Sequence, residues 1–556
     1  MTQIPNAAQK VPMMFRAQTA GRCQLQRIAR NVPQQDVQRW TDEWIDRAHP
    51  VPSSSPQNVQ TRIYTLSWRF VTNGGQDDGI IRPVIGAFGL PYYPGSSMKG
   101  AFRQACTSQQ GDRYCGKKLS GGDFEPGLLR FHGGYPTSDG WQEGLVDMVH
   151  PQQDWQVKSD EKRGGAFAQI SLYQPTLRFG ISSTKPEDTD WEEVWQIWER
   201  AIAVGLGCRV SAGYGQPRKQ AGKVLYRCTV RGQGAAPKLL DGRGEFRPNL
   251  LRASLRGHAL RIFGGLCGAE VAEDLVQTLF GGVKGSGTVG LLSMNFRATQ
   301  LELDEYGVGS YAVPTYDVEG CWTWQLTREL PEAQHEALKK LMRSLTRFAV
   351  LLGGFGKSWR RADHRLFYPE YYERSELKPL IGCHWQWADK SLVNDNRVLK
   401  LQQVGKFIDE VRESAAAWMR SQNVTPNPDS YASQWREAWH PEKVQVWGRL
   451  AEEAEDCEAI RWLHGPYRRA IRDAGIPSGS IYSTSMTGSV NQVGHLWHRM
   501  YPVVKLLRSR EEPKKRVARQ TRQFFELLTV FPDRTPESDG FLEFLESNQH
   551  YFEKLW

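Results

Sequence analysis

The chain has 556 residues, too many for one hydrophobic core, so two or more domains are expected. Lysine and arginine number 71 against 61 acidic residues, and this net charge of +10 favours a polyanionic partner such as nucleic acid or an anionic membrane surface. The nine cysteines form no CxxC pair, and no long apolar run or apolar leader is present, which argues against disulfide scaffolds, zinc clusters, secreted proteins and membrane-spanning proteins and predicts a cytoplasmic protein.

The beginning of the chain is polar and changes character near residue 61. Residues 1–60 are expected to form an N-terminal segment that ends in a linker, because His49–Gln57 is rich in proline and serine. The β-branched and aromatic residues of Arg62–Val71 predict a strand. A glycine-rich loop, Gly74–Gly89, follows this strand and carries two aspartates.

A helix start is predicted directly after that loop. Pro94-Gly95 ends an extended segment, and a serine hydroxyl would cap the helix that runs from Met98. A helix N-terminus with hydroxyls, free backbone N–H groups and cations is typical of a phosphate site, although an ordinary capped helix is the alternative. The side chains expected to contact RNA here are Ser96, Ser97, Lys99 and Arg103.

A second glycine loop follows the next helix. Apolar residues at helical spacing predict a helix over Trp191–Val204, which runs into Gly205–Gly215. The glycines permit close backbone approach, and Arg209 and Tyr214 among them favour contact with a flat or charged ligand such as RNA. A flexible hairpin loop is the alternative.

The same order of elements then occurs again, which indicates an internal duplication. The predicted elements are a strand at Val224–Val230, a loop at Gly232–Glu245 containing Asp241, a basic amphipathic helix starting in Arg247–Arg261 and a glycine loop at Gly353–Arg361. The side chains expected to contact RNA in this copy are Arg247, Arg252, Arg256, Lys357, Trp359, Arg360 and Arg361.

The last third of the chain departs from this order. Residues 391–478 have helical periodicity and predict a helical insertion. Extended chain is expected again near residues 479–486 and 496–503, and the tail from Tyr501 to Trp556 is predicted to be helical. A basic run between residues 508 and 522 is interpreted as a solvated helix face, with RNA contact as the alternative.

The segment Pro94–Gly100 (PGSSMKG), followed by the glycine loop at Gly205–Gly215, resembles the RAMP superfamily of type III CRISPR–Cas effector complexes. In that family the PGSSxKG-type segment opens the first helix of a ferredoxin-like fold. Residues 61–220 resemble the backbone-type subunit at the guide 3′ side of Cmr-type complexes. Within them, Val146–Pro151 resembles a segment of that subunit. Phe131–Gly134 departs from the pattern, because the family usually has an Asp-Ala pair there. Residues 221–390 resemble the Cmr subunit that caps the same end.

The resemblance implies an α+β protein with tandem ferredoxin-like (RRM-like) RAMP modules at 61–220 and 221–390. Residues 391–478 would then be a helical insertion in the second module, and 479–556 its returning strands and C-terminal helices. It implies a fused, type III-D-like subunit that binds guide RNA (crRNA) as structural backbone. Such a complex recognises complementary target RNA in antiviral defence, so crRNA, target RNA and other effector subunits are the expected partners, without a membrane.

Catalysis is the alternative function. Cleaving subunits of the family place an Asp in the loop between the first strand and the first helix, so Asp77, Asp78 and Asp241 are candidates for Mg²⁺-dependent cutting of target RNA. Solvated loop acids are the simpler interpretation, and processing of guide precursor through a His base is a further alternative. Binding itself is expected to need no cofactor. His495, His498 and the Cys383-His384 pair are expected to be packed or hydrogen-bonded, and no metal site is predicted.

Overall fold

The computed structural model of the chain is an α+β structure whose main sheets are antiparallel. The residues it describes are 33–52, 58–72, 74–77, 80–149, 153–158, 167–218, 224–282, 288–373, 375, 377–465, 481–482, 484–488, 492–508 and 516–556. Within these ranges no helix is long and apolar enough to cross a membrane.

The first part of the chain is built around a three-stranded sheet. Its elements, in chain order, are α1 (Pro33–Ile45), β1 (Gln60–Thr65), β2 (Arg69–Phe70), β3 (Gly75–Asp77), β4 (Ile80–Arg82), α2 (Gly95–Gln104), α3 (Ser108–Cys115), β5 (Gly116–Lys118), β6 (Phe124–Pro126), β7 (Leu129–Pro136), β8 (Val146–Val149), α4 (Asp154–Lys158), β9 (Phe167–Ile170), β10 (Leu172–Tyr173), β11 (Thr176–Ser183) and α5 (Trp191–Ala203). The first sheet has the order β1-β11-β7, and a bridge between Leu66 and Pro217 extends its β1 edge. Side chains such as Phe102 on α2 and Trp198 on α5 fill the core of this sheet.

Helix α2 begins three residues earlier than predicted. Its N-cap is Pro94, so the prediction that Ser96 or Ser97 caps the helix is wrong. The reason is the tight approach of the helix start to β7: a Cβ at position 95 would lie 2.1 Å from the carbonyl oxygen of Phe131, so only glycine fits there. Helix α5 confirms the helix predicted from Trp191, and Asp190 caps it by accepting two backbone N–H groups.

The second part of the chain forms a four-stranded sheet. Its elements are β12 (Val224–Ala235), α6 (Asn249–Gly264), α7 (Ala269–Phe280), β13 (Leu292–Tyr306), β14 (Val313–Leu326), α8 (Glu332–Leu351), α9 (His364–Phe367), α10 (Glu370–Glu373) and β15 (Cys383–Trp387). The strands lie in the order β13-β14-β12-β15, and every neighbouring pair is antiparallel.

Helix α6 is buried on nearly all sides, whereas the sequence predicted a basic amphipathic helix. It packs against α7, α8 and a later helix, so its polar side chains Arg252, His258 and Arg261 are buried together with its apolar ones. Buried charged groups need partners.

The third part of the chain contains a further sheet. Its elements are α11 (Ser391–Asn394), α12 (Gln403–Ser421), β16 (Gln445–Ala451), α13 (Glu458–His464), β17 (Leu496–Arg508), β18 (Arg516–Val530), α14 (Pro536–Ser547) and β19 (Glu553–Lys554). The strands lie in the order β17-β18-β16-β19. Numbered by their place in the chain, the strands of both the second and the third sheet therefore lie in the order second, third, first, fourth.

Two sequence predictions are therefore wrong in this region. The expected helical insertion contains strand β16 as well as helices, and most of the tail is the β17–β18 hairpin followed by a single long helix, α14, rather than a helical segment. The strand at 516–530 pairs with both β16 and the strand at 496–508, so the two strands belong to this sheet rather than returning to the second sheet. The inner half of each strand is buried without alternation, next to a core that includes Leu528 and Val530, as expected for a strand covered on both faces.

Candidate nucleic-acid interface

A cleft of about 1450 Å³ opens between the first and second sheets. Its walls are α2, the glycine loop after α5, the start of α6, the end of α7 and the second glycine loop. The predicted RNA-contacting residues that line it are Ser97, Arg209, Tyr214, Arg252, Arg256 and Lys357. The two copies of the predicted motif thus face one cleft.

Three arginines converge on one wall of the cleft. Arg252 donates hydrogen bonds to the carbonyl oxygen of Phe280 and, at 3.5 Å, to the hydroxyl of Ser211. Burial and the charges of Arg256 and Arg209 lower the pKa of Arg252 to about 10. Like charges on neighbouring side chains repel one another. Asp154 pairs with Arg256, and an anion in the cleft would relieve the repulsion that remains at Arg252.

Two lysines face the cleft from the opposite side. Desolvation and the nearby charge of Lys238 lower the pKa of Lys357. Both side chains are exposed, and the Nζ of Lys238 donates to the carbonyl oxygen of Ala312 at 3.1 Å. In the described part of the chain neither ammonium group forms an ion pair with a carboxylate. Lys238 was missed by the sequence analysis because it follows a strand in a loop and belongs to no motif.

The cations on α2 lie on a different face from Ser97. Arg103 donates to the carbonyl oxygen of Gly116 at 2.7 Å and pairs with Asp112 at 3.7 Å. Lys99 and Arg103 lie near the thiol of Cys115, away from the residues that line the cleft. Ser96 is exposed in the first turn of α2. RNA contact by Ser96, Lys99 and Arg103 stays a prediction.

Tyr214 and Arg247 belong to a buried network that joins the first and second parts of the chain. Arg247 pairs with Asp147 at 2.5 Å and donates to the Tyr214 hydroxyl at 3.1 Å. That hydroxyl donates to Asp147 at 3.1 Å, and burial together with the Asp147 charge raises the pKa of Tyr214. Arg69 in turn binds Glu245, which precedes α6. These contacts hold the two walls of the cleft together, and RNA contact by Arg247 stays a prediction.

The glycines of the first loop serve the packing of the protein itself. A Cβ at Gly207 would lie 2.3 Å from the carbonyl oxygen of Val71, and one at Gly215 would lie 1.9 Å from that of Leu206. The loop is therefore held rigidly against β2, with the backbone N–H of Gly215 donating to the Arg69 carbonyl at 2.7 Å. This rigid loop carries Arg209 in a left-handed backbone conformation, at a φ of 58°.

Except for Lys357, the cations of the second glycine loop bind groups of the protein itself. Arg360 packs over the buried ring of Trp359 at 4.4 Å and binds Glu437 at 2.6 Å. Arg361 donates to the carbonyl oxygens of Leu496 and Thr487. Burial and the charge of Arg360 lower the pKa of Arg361 to about 10. RNA contact by Trp359, Arg360 and Arg361 stays a prediction.

Of the three candidate catalytic acids, Asp241 is the one whose side chain the structure describes. Asp78 and the side chain of Asp77 lie outside the described residues. Asp241 lies in a surface turn, where its carboxylate accepts from the side chain of Arg243 at 2.7 Å and from the Arg243 backbone N–H at 3.0 Å. It does not line the cleft.

The β17–β18 hairpin presents a second basic surface. Lys505 lies directly opposite Arg519, and Arg508 directly opposite Arg516, and all four side chains are exposed. Like charges directly opposite each other destabilise a sheet. The sequence predicts this basic run on a helix, and the cross-strand pairing of its charges follows only from the strands that the structure shows.

Comparison with known proteins shows what the first module resembles. Residues 73–218, less than half of the chain, match the family model of the RAMP superfamily, so this segment is similar to that superfamily. A chain of the cryo-EM structure of the type III-B Cmr-beta bound to cognate target RNA is 18% identical, with a TM-score of 0.23, over 34% of this chain and 69% of that chain. A likeness of this size does not establish a shared overall fold. No curated protein matches the sequence.

Proposed function

We propose that the chain is a guide-RNA-binding structural subunit of a type III CRISPR effector ribonucleoprotein. The similarity of residues 73–218 to the RAMP superfamily supports this class of protein. The observation that carries RNA binding is the cleft, where Arg209, Arg252, Lys238 and Lys357 face one another across a groove. Its partners would be crRNA, target RNA and the other subunits of the effector complex.

The fold supports the modular part of this proposal. The second sheet belongs to a strand–helix–strand–strand–helix–strand succession whose strands lie in the order second, third, first, fourth, as a ferredoxin-like module requires. The first sheet has the order first, third, second, with the Leu66–Pro217 bridge at the position of a fourth strand. The third sheet repeats the order of the second, so we propose three such modules rather than two.

The size and charge of the cleft suit a nucleic-acid strand. Sites for small ligands typically measure about 300–1,000 Å³, and this cleft is larger, at about 1450 Å³. Phosphate contacts through arginine, lysine and backbone groups give affinity without sequence preference, which a protein that must hold any guide requires. The like-charged pairs of the β17–β18 hairpin would also be relieved by RNA phosphates.

A structural role is favoured over cutting. The described acid Asp241 is held by Arg243 in a turn outside the cleft. Glu273 and Asp154 line the cleft, but their carboxylates are paired with Lys158 and Arg256. Each of these carboxylates is therefore already bound by a cation of the protein.

Binding of single-stranded RNA by charge variants tests the proposal. Lys238→Ala combined with Lys357→Ala removes two phosphate contacts, so we expect affinity to fall about a hundredfold or more, because each hydrogen bond to a charged group contributes about 1.5–3 kcal/mol. The slope of log affinity against log salt should become shallower by about 1.4, at about 0.7 for each phosphate contact. Fluorescence anisotropy at several salt concentrations measures both quantities.

The matched control is Lys340→Ala combined with Lys406→Ala, which removes the same charge from exposed positions on α8 and α12. This control should keep the wild-type affinity and slope. Equal losses in the two double variants would show that net charge, and not the cleft, determines binding. Unchanged binding in the cleft variant would contradict the proposed interface.

A further inference from the structure

Three side chains of metal-ligand type converge inside the third sheet. Cys457 immediately precedes α13, His498 lies on β17 and Glu526 lies on β18. The Cys457 Sγ lies 3.6 Å from the His498 Nε2 and 3.2 Å from the Glu526 Oε1, and the latter two atoms are 3.1 Å apart. Each of the three residues is at most 1% exposed.

We propose that Cys457, His498 and Glu526 bind a structural Zn²⁺ ion. Zinc bonds of about 2.3 Å to sulfur and about 2.0–2.2 Å to nitrogen or oxygen place neighbouring ligand atoms of a tetrahedron about 3.3–3.7 Å apart. The observed Sγ to Nε2 separation of 3.6 Å falls within this range, and the two separations to Oε1, 3.1 and 3.2 Å, are a few tenths of an ångström shorter. Thiolate with imidazole suits zinc far better than magnesium, which prefers oxygen ligands throughout.

Hydrogen bonding alone accounts poorly for this arrangement. The Oε1 of Glu526 accepts the backbone N–H of Ala459 at 2.7 Å and is also the acceptor nearest to the Cys457 thiol and to the His498 Nε2. A carboxylate offers about four lone-pair sites on two oxygens, so in the tautomer that protonates the His498 Nε2 three donors compete for the two sites of Oε1. With a metal ion bound, the thiol is deprotonated, the Nε2 is a ligand, and Oε1 needs to accept only the Ala459 N–H and the ion.

The surroundings orient Glu526 and balance the charge. The other carboxylate oxygen, Oε2, accepts from Arg449 at 2.9 Å and from the backbone N–H of Glu458 at 3.1 Å. Arg449 is itself bound by Asp456 at 2.8 Å. The thiolate of Cys457 and the carboxylate of Glu526 would neutralise Zn²⁺, while Arg449 and Asp456 neutralise each other, so the buried group carries no net charge.

The position of the cluster indicates a structural role. A bound ion would join the N-terminus of α13 to the two strands of the hairpin sheet, so its binding energy would stabilise this part of the fold. The cluster does not line the cleft, so this inference is independent of the proposed RNA binding. The described side chains supply three ligands here, and a fourth position remains for a small ligand such as water.

Metal content and cobalt spectroscopy of the full-length chain test the inference. Protein produced with added zinc and then desalted should contain one zinc per chain, and Cys457→Ser and His498→Gln should lose it. Cys267→Ser, which changes a buried thiol bonded only to the carbonyl of Phe263, should keep it. Retention of zinc by Cys457→Ser would overturn the proposal.

The absorption spectrum of cobalt bound to the wild-type protein tests the metal site even if the buried variants fail to fold. Wild-type protein loaded with Co²⁺ should show the visible bands of a tetrahedral ion together with near-ultraviolet thiolate-to-cobalt absorption. His335→Ala, which disrupts the exposed Glu332–His335–Glu336 cluster, should leave that spectrum unchanged. Wild-type protein that holds no zinc, or a cobalt spectrum without thiolate absorption, would overturn the site.

Discussion

Glu437→Gln should destabilise the fold because Glu437 is the buried centre of an arginine cluster. The carboxylate is fully buried and accepts from Arg261 at 2.7 Å and from Arg360 at 2.6 Å, with Arg436 3.7 Å away. Burial alone would raise the pKa of Glu437, but the charges of Arg360, Arg261 and Arg436 lower it from 4.5 to about 2. At about 1.4 kcal/mol for each tenfold change, this shift stabilises the fold by about 3 kcal/mol at neutral pH.

The glutamine keeps the shape of the side chain but leaves the guanidinium groups buried without their counter-ion. Breaking a buried ion pair by removing one partner costs about 3–5 kcal/mol. In a unit of 150–250 residues this loss corresponds to a melting temperature lower by about 6–20 °C. Tryptophan fluorescence is a suitable probe of melting, because Trp439 and Trp497 pack nearby, with ring centroids 5.1 Å apart.

The stability that Glu437 contributes should decrease in acid. A carboxyl whose pKa is lowered by folding contributes stability that is complete above its unfolded pKa and is lost as the pH falls through the folded value. The difference in melting temperature between wild type and Glu437→Gln should therefore be constant near neutral pH and should shrink below about pH 4.5. Glu336→Gln, at an exposed position on α8, should melt like wild type. A Glu437→Gln variant that melts within about 2 °C of wild type at pH 7, or a difference that persists in acid, would refute this account of Glu437.

Three further changes test other parts of the structure. Lys505→Glu turns the like-charged pair with Arg519 into an opposite-charged pair, so the RNA-free protein should gain about 0.2–1 kcal/mol of thermal stability while its RNA affinity falls; a fall in both would contradict the account of the hairpin. Asp147→Asn leaves Arg247 buried without its carboxylate and should cost about 3–5 kcal/mol in chemical denaturation, and a cost below about 1 kcal/mol would contradict the described network. Asp241→Ala should leave guide binding and every target-RNA cleavage position of the assembled complex unchanged, whereas the loss of one position would identify a cutting module.

Local elements of the first two sheets could be predicted from the sequence where the pattern is strong. The helix from Trp191 and the strand from Val224 both start where their apolar spacing predicts. The helix predicted near Ser97 starts at Gly95, because its start depends on contact with the carbonyl of Phe131 across the sheet. The spacing of apolar residues along the chain does not reveal such a long-range contact.

In the tail from Tyr501 to Trp556, the local sequence pattern did not predict the secondary structure correctly. Arg516–Val530 is basic and polar in its first half and mostly apolar in its second, a pattern without strict alternation, and pairing with β16 and β17 determines that it is a strand. The site shows the same limit. Lys238 joins Lys357 at the cleft, and Cys457 joins Glu526, only through the fold, because the members of each pair lie far apart in the sequence.

Crosslinking of guide RNA to the protein within the assembled complex, followed by mass spectrometry of the crosslinked peptides, tests the central claim most directly. We predict crosslinks in the glycine loop containing Arg209, in the first turns of α6 that contain Arg252 and at the loop of Lys357, since these segments line the cleft. Crosslinks on the β17–β18 hairpin are also expected. Crosslinks confined to other surfaces, with none from the cleft, would contradict the proposed function.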